Sequence, residues 1–128
     1  MDIHRRRLLQ LAAATAGAAV LPATTFAQPT YPSQPVRVIV PSTAGSTTDV
    51  VARIVGERLE AYLGQPFVVD NKPGAGGTVG AAQVASAAPD GHTLLVHSSG
   101  HVANAALYPA LKYDTLKDFT PVTMLASM

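Results

Sequence analysis

Residues 36–40, Val-Arg-Val-Ile-Val, form a continuous β-branched run. A strand with one wet face alternates apolar and polar residues, whereas an unbroken run is the pattern of a strand covered on both faces. It breaks at Pro41 into a small, hydroxyl-rich loop, Ser42 to Asp49, and then into helical spacing. Val50, Val51, Ile54, Val55, Leu59, Tyr62 and Leu63 recur at threes and fours, with Arg53, Glu57, Arg58 and Glu60 between them. That predicts a helix over 47–63, with Gly64 as a left-handed stop. PFVVDN (66–71) reads as a second strand, KPGAGG as a turn, and Thr78 to Ala88 as a small-residue helix ended by Pro89-Asp90-Gly91. HTLLVHSS (92–99) reads as a third strand, followed by a short helix or turn around Asn104 to Leu107 and a fourth apolar run, Val122 to Leu125. The order β-α-β-α-β predicts an α/β layer with a doubly wound parallel sheet.

The first 27 residues stand apart from that pattern. Arg5, Arg6 and Arg7 precede the apolar stretch Leu8 to Leu21, which is short for a bilayer span, and Pro22 ends it. Thr25-Phe26-Ala27 offers small residues where a signal peptidase reads. This three-part pattern predicts an export signal over 1–27, cleaved after about Ala27 and placing the remainder in the periplasm. Arg5 to Gln10 resembles a twin-arginine motif, and the same stretch also satisfies a Sec signal. The signal holds three arginines and Asp2, so of 9 basic and 8 acidic residues it leaves six against seven, a net charge of −1. The mature part therefore has no basic excess, which argues against nucleic acid as a partner. With no cysteine in its 128 residues, the chain has neither a lipid-attachment site after the signal nor disulfides.

Three polar loops follow the three strands. In the first, Ser46-x-x-Asp49 fits a capping box, in which the Ser46 hydroxyl accepts the amide of residue 49 and Asp49 reaches back to the amide of Ser46. Capping leaves Ser42, Thr43, Thr47 and Thr48 unexplained. Ligands in open α/β sheets sit beyond the carboxyl ends of the strands, where the free amides of a helix start favour a carboxylate or phosphate. A nucleotide phosphate loop requires Gly-Lys-Ser/Thr, and no lysine is present here. A small carboxylate held by hydroxyls and amides is the ligand that fits, with plain capping as the alternative.

The second loop, Gly74 to Gly80, contains G-x-G-x-x-x-G, but the strand some 20 residues on lacks the acidic residue of a dinucleotide site. Glycines there also permit a tight turn, close helix–sheet packing, or backbone amides bared to the same cleft. In the third, His97-Ser98-Ser99-Gly100-His101 sets serine beside histidine without the G-x-S-x-G elbow or an acid to orient the histidine. His92, His97 and His101 lack a carboxylate cluster, so polar strand-end residues facing a cleft are favoured over a metal or a nucleophile. No metal, cofactor or catalytic residue is assigned.

The segments VRVIVPSTAGSTTDVVARIV, VVDNKPGAGGTVGAAQVASAAPDGHTLLVHSS and NAALYPALKYDTLKDFTPVTMLAS closely resemble the start of the Bug-type extracytoplasmic solute receptors of tripartite tricarboxylate transporters. The resemblance covers residues 31 to 127 with the elements in family order, and rests on the combination P-x-x-A-G-x-x-T-D, N-x-P-G-A-G-G and A-L-Y-P. It implies a periplasmic-binding-protein clamshell of type II that captures a small carboxylate between two lobes. Closure about a hinge then presents the receptor, a monomer when complete, to membrane transporter subunits. It implies no enzyme activity. Carried over, the first-lobe wall comprises Ser42 to Asp49, Gly74 to Thr78 and Ser98 to Asn104, and the residues assigned to ligand contact are Thr43, Ser46, Thr47, Thr48 and Asp49; Gly76, Gly77 and Thr78; and Ser98, Ser99, His101 and Asn104.

Two departures accompany the resemblance. Ala44-Gly45-Ser46 stands where many members carry a second glycine, which puts a hydroxyl in place of bare backbone. The family is also at least twice as long, as two lobes of ordinary size require. Residues 28–128 are thus expected to be an N-terminal lobe truncated before the second, an incomplete fold offering half a cleft and weak or no carboxylate binding. The competing expectations are an α/β enzyme, hydrolase-like or dinucleotide-dependent, and a truncated product without transport function.

Overall fold

The structure is a computed structural model in which residues 30–127 are described; the expected export signal lies outside them. Strand β1 (Val36–Val40) leads into helix α1 (Thr47–Leu63), strand β2 (Phe67–Asn71), a single 3-10 turn (Ala75–Gly77) and helix α2 (Thr78–Ala85). Strand β3 (Thr93–Leu95) and helix α3 (Gly100–Leu107) follow. The sheet order is β2-β1-β3, with both pairings parallel, so the β-branched run is the central strand. Val38 pairs with Val69 on one side and Leu94 on the other.

The two faces of β1 are covered by different helices, as its unbroken apolar pattern requires. Val36, Val38 and Val40 cluster with Ala52 of α1 and Phe67 of β2. Ile39 points the other way, toward Gly80 of α2, where an added Cβ would stand 3.3 Å from its side chain. Both helices approach through small residues. The buried positions of α1 are Asp49, Ala52 and Gly56, and those of α2 are Gly80 and Ala81. A Cβ on Gly56 would lie 3.4 Å from the Phe67 Cβ, so this glycine lets α1 rest directly on the sheet.

Several boundaries depart from the sequence expectation. The apolar stripe assigned to α1 does not bury as a unit: Ile54 is 58% and Tyr62 87% exposed, because the sheet-facing line runs through 49, 52 and 56. Helix α2 ends at Ala85 rather than Ala88. Its last turn tightens, with the Ala87 N–H donating to the Val84 carbonyl and the Ser86 hydroxyl to that of Gln83. Strand β3 is confined to 93–95, although the Val96 N–H still donates to the Ile39 carbonyl at 3.0 Å. Helix α3 starts four residues before Asn104. Val122 to Leu125 is exposed and without regular structure. Among the described residues, no helix is long and apolar enough to cross a membrane.

Candidate functional site

The loops after β1, β2 and β3 meet at the carboxyl ends of the strands. Between them lies a cavity of about 150 Å³ lined by Pro41, Ser42 and Thr48 from the first, Gly76 from the second, and His97 and Ser98 from the third. Five of these six residues bring a hydroxyl, a ring nitrogen or a glycine backbone, the composition of a polar cleft.

The first loop is held by Asp49. The carboxylate is buried (2% exposed) and fully engaged: the Gly45 N–H donates to Oδ2 at 2.8 Å, the Asn71 amide to Oδ1 at 2.9 Å, and Arg53 Nε to both oxygens at 3.1 Å. Asn71 also donates to the Ser42 carbonyl at 3.2 Å and accepts from Arg53 Nη2 at 3.0 Å, which ties the end of β2 to the loop and to α1. Half of the expected capping box forms. The Asp49 N–H donates to the Ser46 hydroxyl at 3.3 Å, but the Asp49 carboxylate turns to the Gly45 amide, because the Ser46 amide already donates to the Thr43 carbonyl. The Ser42 and Ser46 hydroxyls share a 2.8 Å hydrogen bond.

The Arg53 guanidinium, with the Gly45 and Asn71 donors, holds Asp49 at about 2, well below the ordinary 3.8. An acid weaker in the unfolded chain takes up its proton there first, so its stabilisation is complete well above pH 3.8 and is lost as pH falls toward 2. The urea midpoint of the chain is therefore expected to fall steeply across that window. In Arg53→Gln, which loses the largest cause of the shift, the fall should be smaller and finish at higher pH; an unchanged acid profile would remove Arg53 from the account.

The second loop bends through four consecutive positive-φ residues, Gly74, Ala75, Gly76 and Gly77, closed by a 2.8 Å bond from the Gly77 N–H to the Gly74 carbonyl. The His97 ring lies directly against Gly77, where a Cβ would fall on Nε2. Asn104 of α3, 4% exposed, donates to the Gly76 carbonyl at 3.0 Å and so joins the second and third loops.

In the third loop, His97 Nδ1 accepts the Ser98 N–H at 2.8 Å. The Ser98 hydroxyl lies 3.5 Å from that nitrogen, too far for the serine–histidine pair of a nucleophile. His101 packs away from the cavity, stacked on Tyr113 and edge-on to Phe119. Burial lowers the basicity of both histidines, and the charge of His101 adds to the effect on His97.

Of the residues singled out in the sequence, Thr48, Gly76 and Ser98 line the cavity. Thr43 and Ser99 are exposed on the rim loops and Thr47 on the first turn of α1, Ser46 and Asp49 build the first loop, and Gly77 and Asn104 support the second. Thr78 opens α2 half-buried, and His101 belongs to the aromatic stack. Ser42, inside the first wall loop but not among the assigned contacts, also lines the cavity, as does His97, which lies just outside the third. Arg53 and Asn71 were missed as supports; the i, i+4 spacing of Asp49 and Arg53 is the one local signal for either.

Residues 51–128 match the model of a family described as tripartite tricarboxylate transporter family receptor. A UPF0065 protein encoded in the TAR-I ttuE-ttuC' intergenic region of Agrobacterium vitis is 45% identical over 111 residues, covering 87% of this chain and 32% of that protein. Among solved structures, one described as a periplasmic transporter is 52% identical with a TM-score of 0.70, over 73% of this chain and 32% of its own. MatC from Rhodopseudomonas palustris with bound malate is 46% identical with a TM-score of 0.68, over 74% of this chain and 33% of its own. The chain thus spans about a third of the length of the relatives it matches.

Proposed function

The chain belongs to the tripartite tricarboxylate transporter receptor family, and from that premise we propose that its three loops form one wall of a site for a small carboxylate. The observation that carries this reading is the cavity where the hydroxyl-bearing residues Ser42, Thr48 and Ser98 meet the Gly76 backbone at the start of α1. The first amides of a 17-residue helix carry a partial positive charge. Asp49, which would otherwise repel an anion there, has its charge offset by Arg53 and shared among three donors. The malate bound by MatC, a relative of similar fold, is consistent with a ligand of this class.

In the complete receptor the opposite wall would come from a second lobe, and closure of the two would create the surface read by the membrane subunits. That role requires export, which the signal over 1–27 would supply. The proposal is one of capture, with no chemical step on the ligand.

Titration of the chain with malate, succinate and citrate, followed by amide NMR, tests the wall. Millimolar binding is expected, with shifts concentrated at Ser42, Thr48, Gly76 and Ser98. No shift at saturating probe, or shifts spread evenly over the surface, would overturn the assignment.

A further inference from the structure

Among the described residues lining the cavity, His97 is the one ionisable side chain, and its hydrogen bonding has two settings. In the neutral ring Nδ1 accepts the Ser98 N–H at 2.8 Å, so the proton sits on Nε2, which is buried against Gly77 without a partner. A ring protonated on both nitrogens has no lone pair for that N–H. The Ser98 carbonyl, 3.1 Å from Nδ1, is already placed to accept the new Nδ1–H. Taking up one proton from solvent would therefore exchange one bond for another within the same residue pair. It would release the Ser98 N–H beside the cavity and put a positive charge in its wall.

We propose that carboxylate capture in this cavity is coupled to uptake of one proton by His97. The proposal rests on the carboxylate reading above and adds its regulation. An anion in the cavity favours the charged ring, and the charged ring favours the anion, by the same factor in each direction. Without a ligand the balance lies with the neutral ring. Burial disfavours the charge, and His101, with ring centroids 5.3 Å apart, repels it. Among the described residues around the ring there is no carboxylate to offset this: the second loop offers Gly77 backbone, the third Ser98, and α3 offers Gly100 and His101. Beyond His101 lie Tyr113, kept neutral by burial, and Phe119. Both nitrogens of His101 are buried without partners, so the pair would hold one proton, on the ring that faces the ligand.

The test follows the histidine ring protons of the full chain by NMR from pH 8 to pH 5, alone and with saturating succinate, while the Thr48 and Ser98 amides report occupancy. His97 is expected to titrate about one pH unit higher with succinate present, equivalent to roughly tenfold tighter binding of the charged form. His101 should move little or downward. In His97→Gln, which cannot charge, binding should be about tenfold weaker toward pH 5, and the Kd reckoned on the succinate dianion should no longer change with pH. Amide shifts with an unmoved His97 titration would overturn the coupling and leave the carboxylate wall standing. No amide shift at any pH would remove both. A pH dependence of the dianion Kd surviving in His97→Gln would assign the proton to another group and sink the proposal.

Discussion

Gly77→Ala is expected to destabilise the chain by about 2–4 kcal/mol, the sum of a left-handed residue bearing a Cβ and an overpacked contact. Gly77 has φ +92°, and its new methyl would fall on the His97 ring. The ring cannot swing aside freely, because Nδ1 is held by the Ser98 amide and the far side faces His101. Gly45→Ala supplies the comparison: φ is +82°, but nothing lies within 4 Å of the added Cβ. That variant should lose about 1 kcal/mol, the backbone part alone. Urea unfolding of both, together with His97→Ala and the Gly77→Ala/His97→Ala double variant, separates the two contributions. The double variant should recover the contact portion and leave the backbone portion, a coupling of 1 kcal/mol or more in the cycle. Equal losses at Gly45 and Gly77, with no coupling to His97, would mean that the second and third loops are not pressed together. The cavity would then lose one of its fixed walls.

What the sequence reveals here is what depends on near neighbours. Strand β1 and helix α1 coincide with their expected bounds because a β-branched run followed by 17 residues of helical spacing is a signal carried within one segment. The parallel order follows from that alternation. Which side of α1 meets the sheet was less visible. Periodicity weighted by size points to Val50 and Ile54, whereas close packing selects Ala52 and Gly56, whose lack of bulk is the reason they fit. Strand β3 reads longer than it is because His97 and Ser98 turn toward Gly77 and the cavity instead of continuing the ladder.

The cavity itself was partly legible. Hydroxyls at a helix start identify the first loop, so Thr48 could be named from chemistry alone. Most of the supporting contacts could not, since they join distant positions. His101 meets Tyr113 and Phe119 across a loop, Asn104 reaches Gly76 over 28 residues, and Asp49 meets Asn71 over 22. A capping box predicted from four adjacent residues was half right for the same reason. The carboxylate took the Gly45 amide, one residue before the expected donor, together with Arg53 and the distant Asn71.

Asn71 carries the second large expectation. Its amide joins Asp49, the Ser42 carbonyl and Arg53, so Asn71→Ala removes two donor bonds and one acceptor at once. A hydrogen bond to a charged group contributes about 1.5–3 kcal/mol, and the partly exposed site admits water, so a loss of roughly 2 kcal/mol is expected. The loss should come with faster exchange of the Gly45 and Ser46 amides. Asn71→Asp discriminates more sharply. It places a second carboxylate where a donor stood 2.9 Å from Asp49 Oδ1, and two carboxylates so close favour sharing a proton. One of the pair then titrates above its unfolded value, so the folded chain binds the extra proton and gains stability as pH falls through that value. The unmodified chain loses stability as the acid range is entered, because Asp49 titrates at about 2 when folded. Between neutral pH and about 4 the urea midpoint of Asn71→Asp should therefore rise, while the Asp49 contribution in the unmodified chain stays level and is lost only below 3.8. Parallel profiles would show that Asn71 does not face the Asp49 carboxylate. The first loop would then be shaped by its own short-range bonds, and Ser42 and Thr48 would owe their place in the cavity to the helix cap alone.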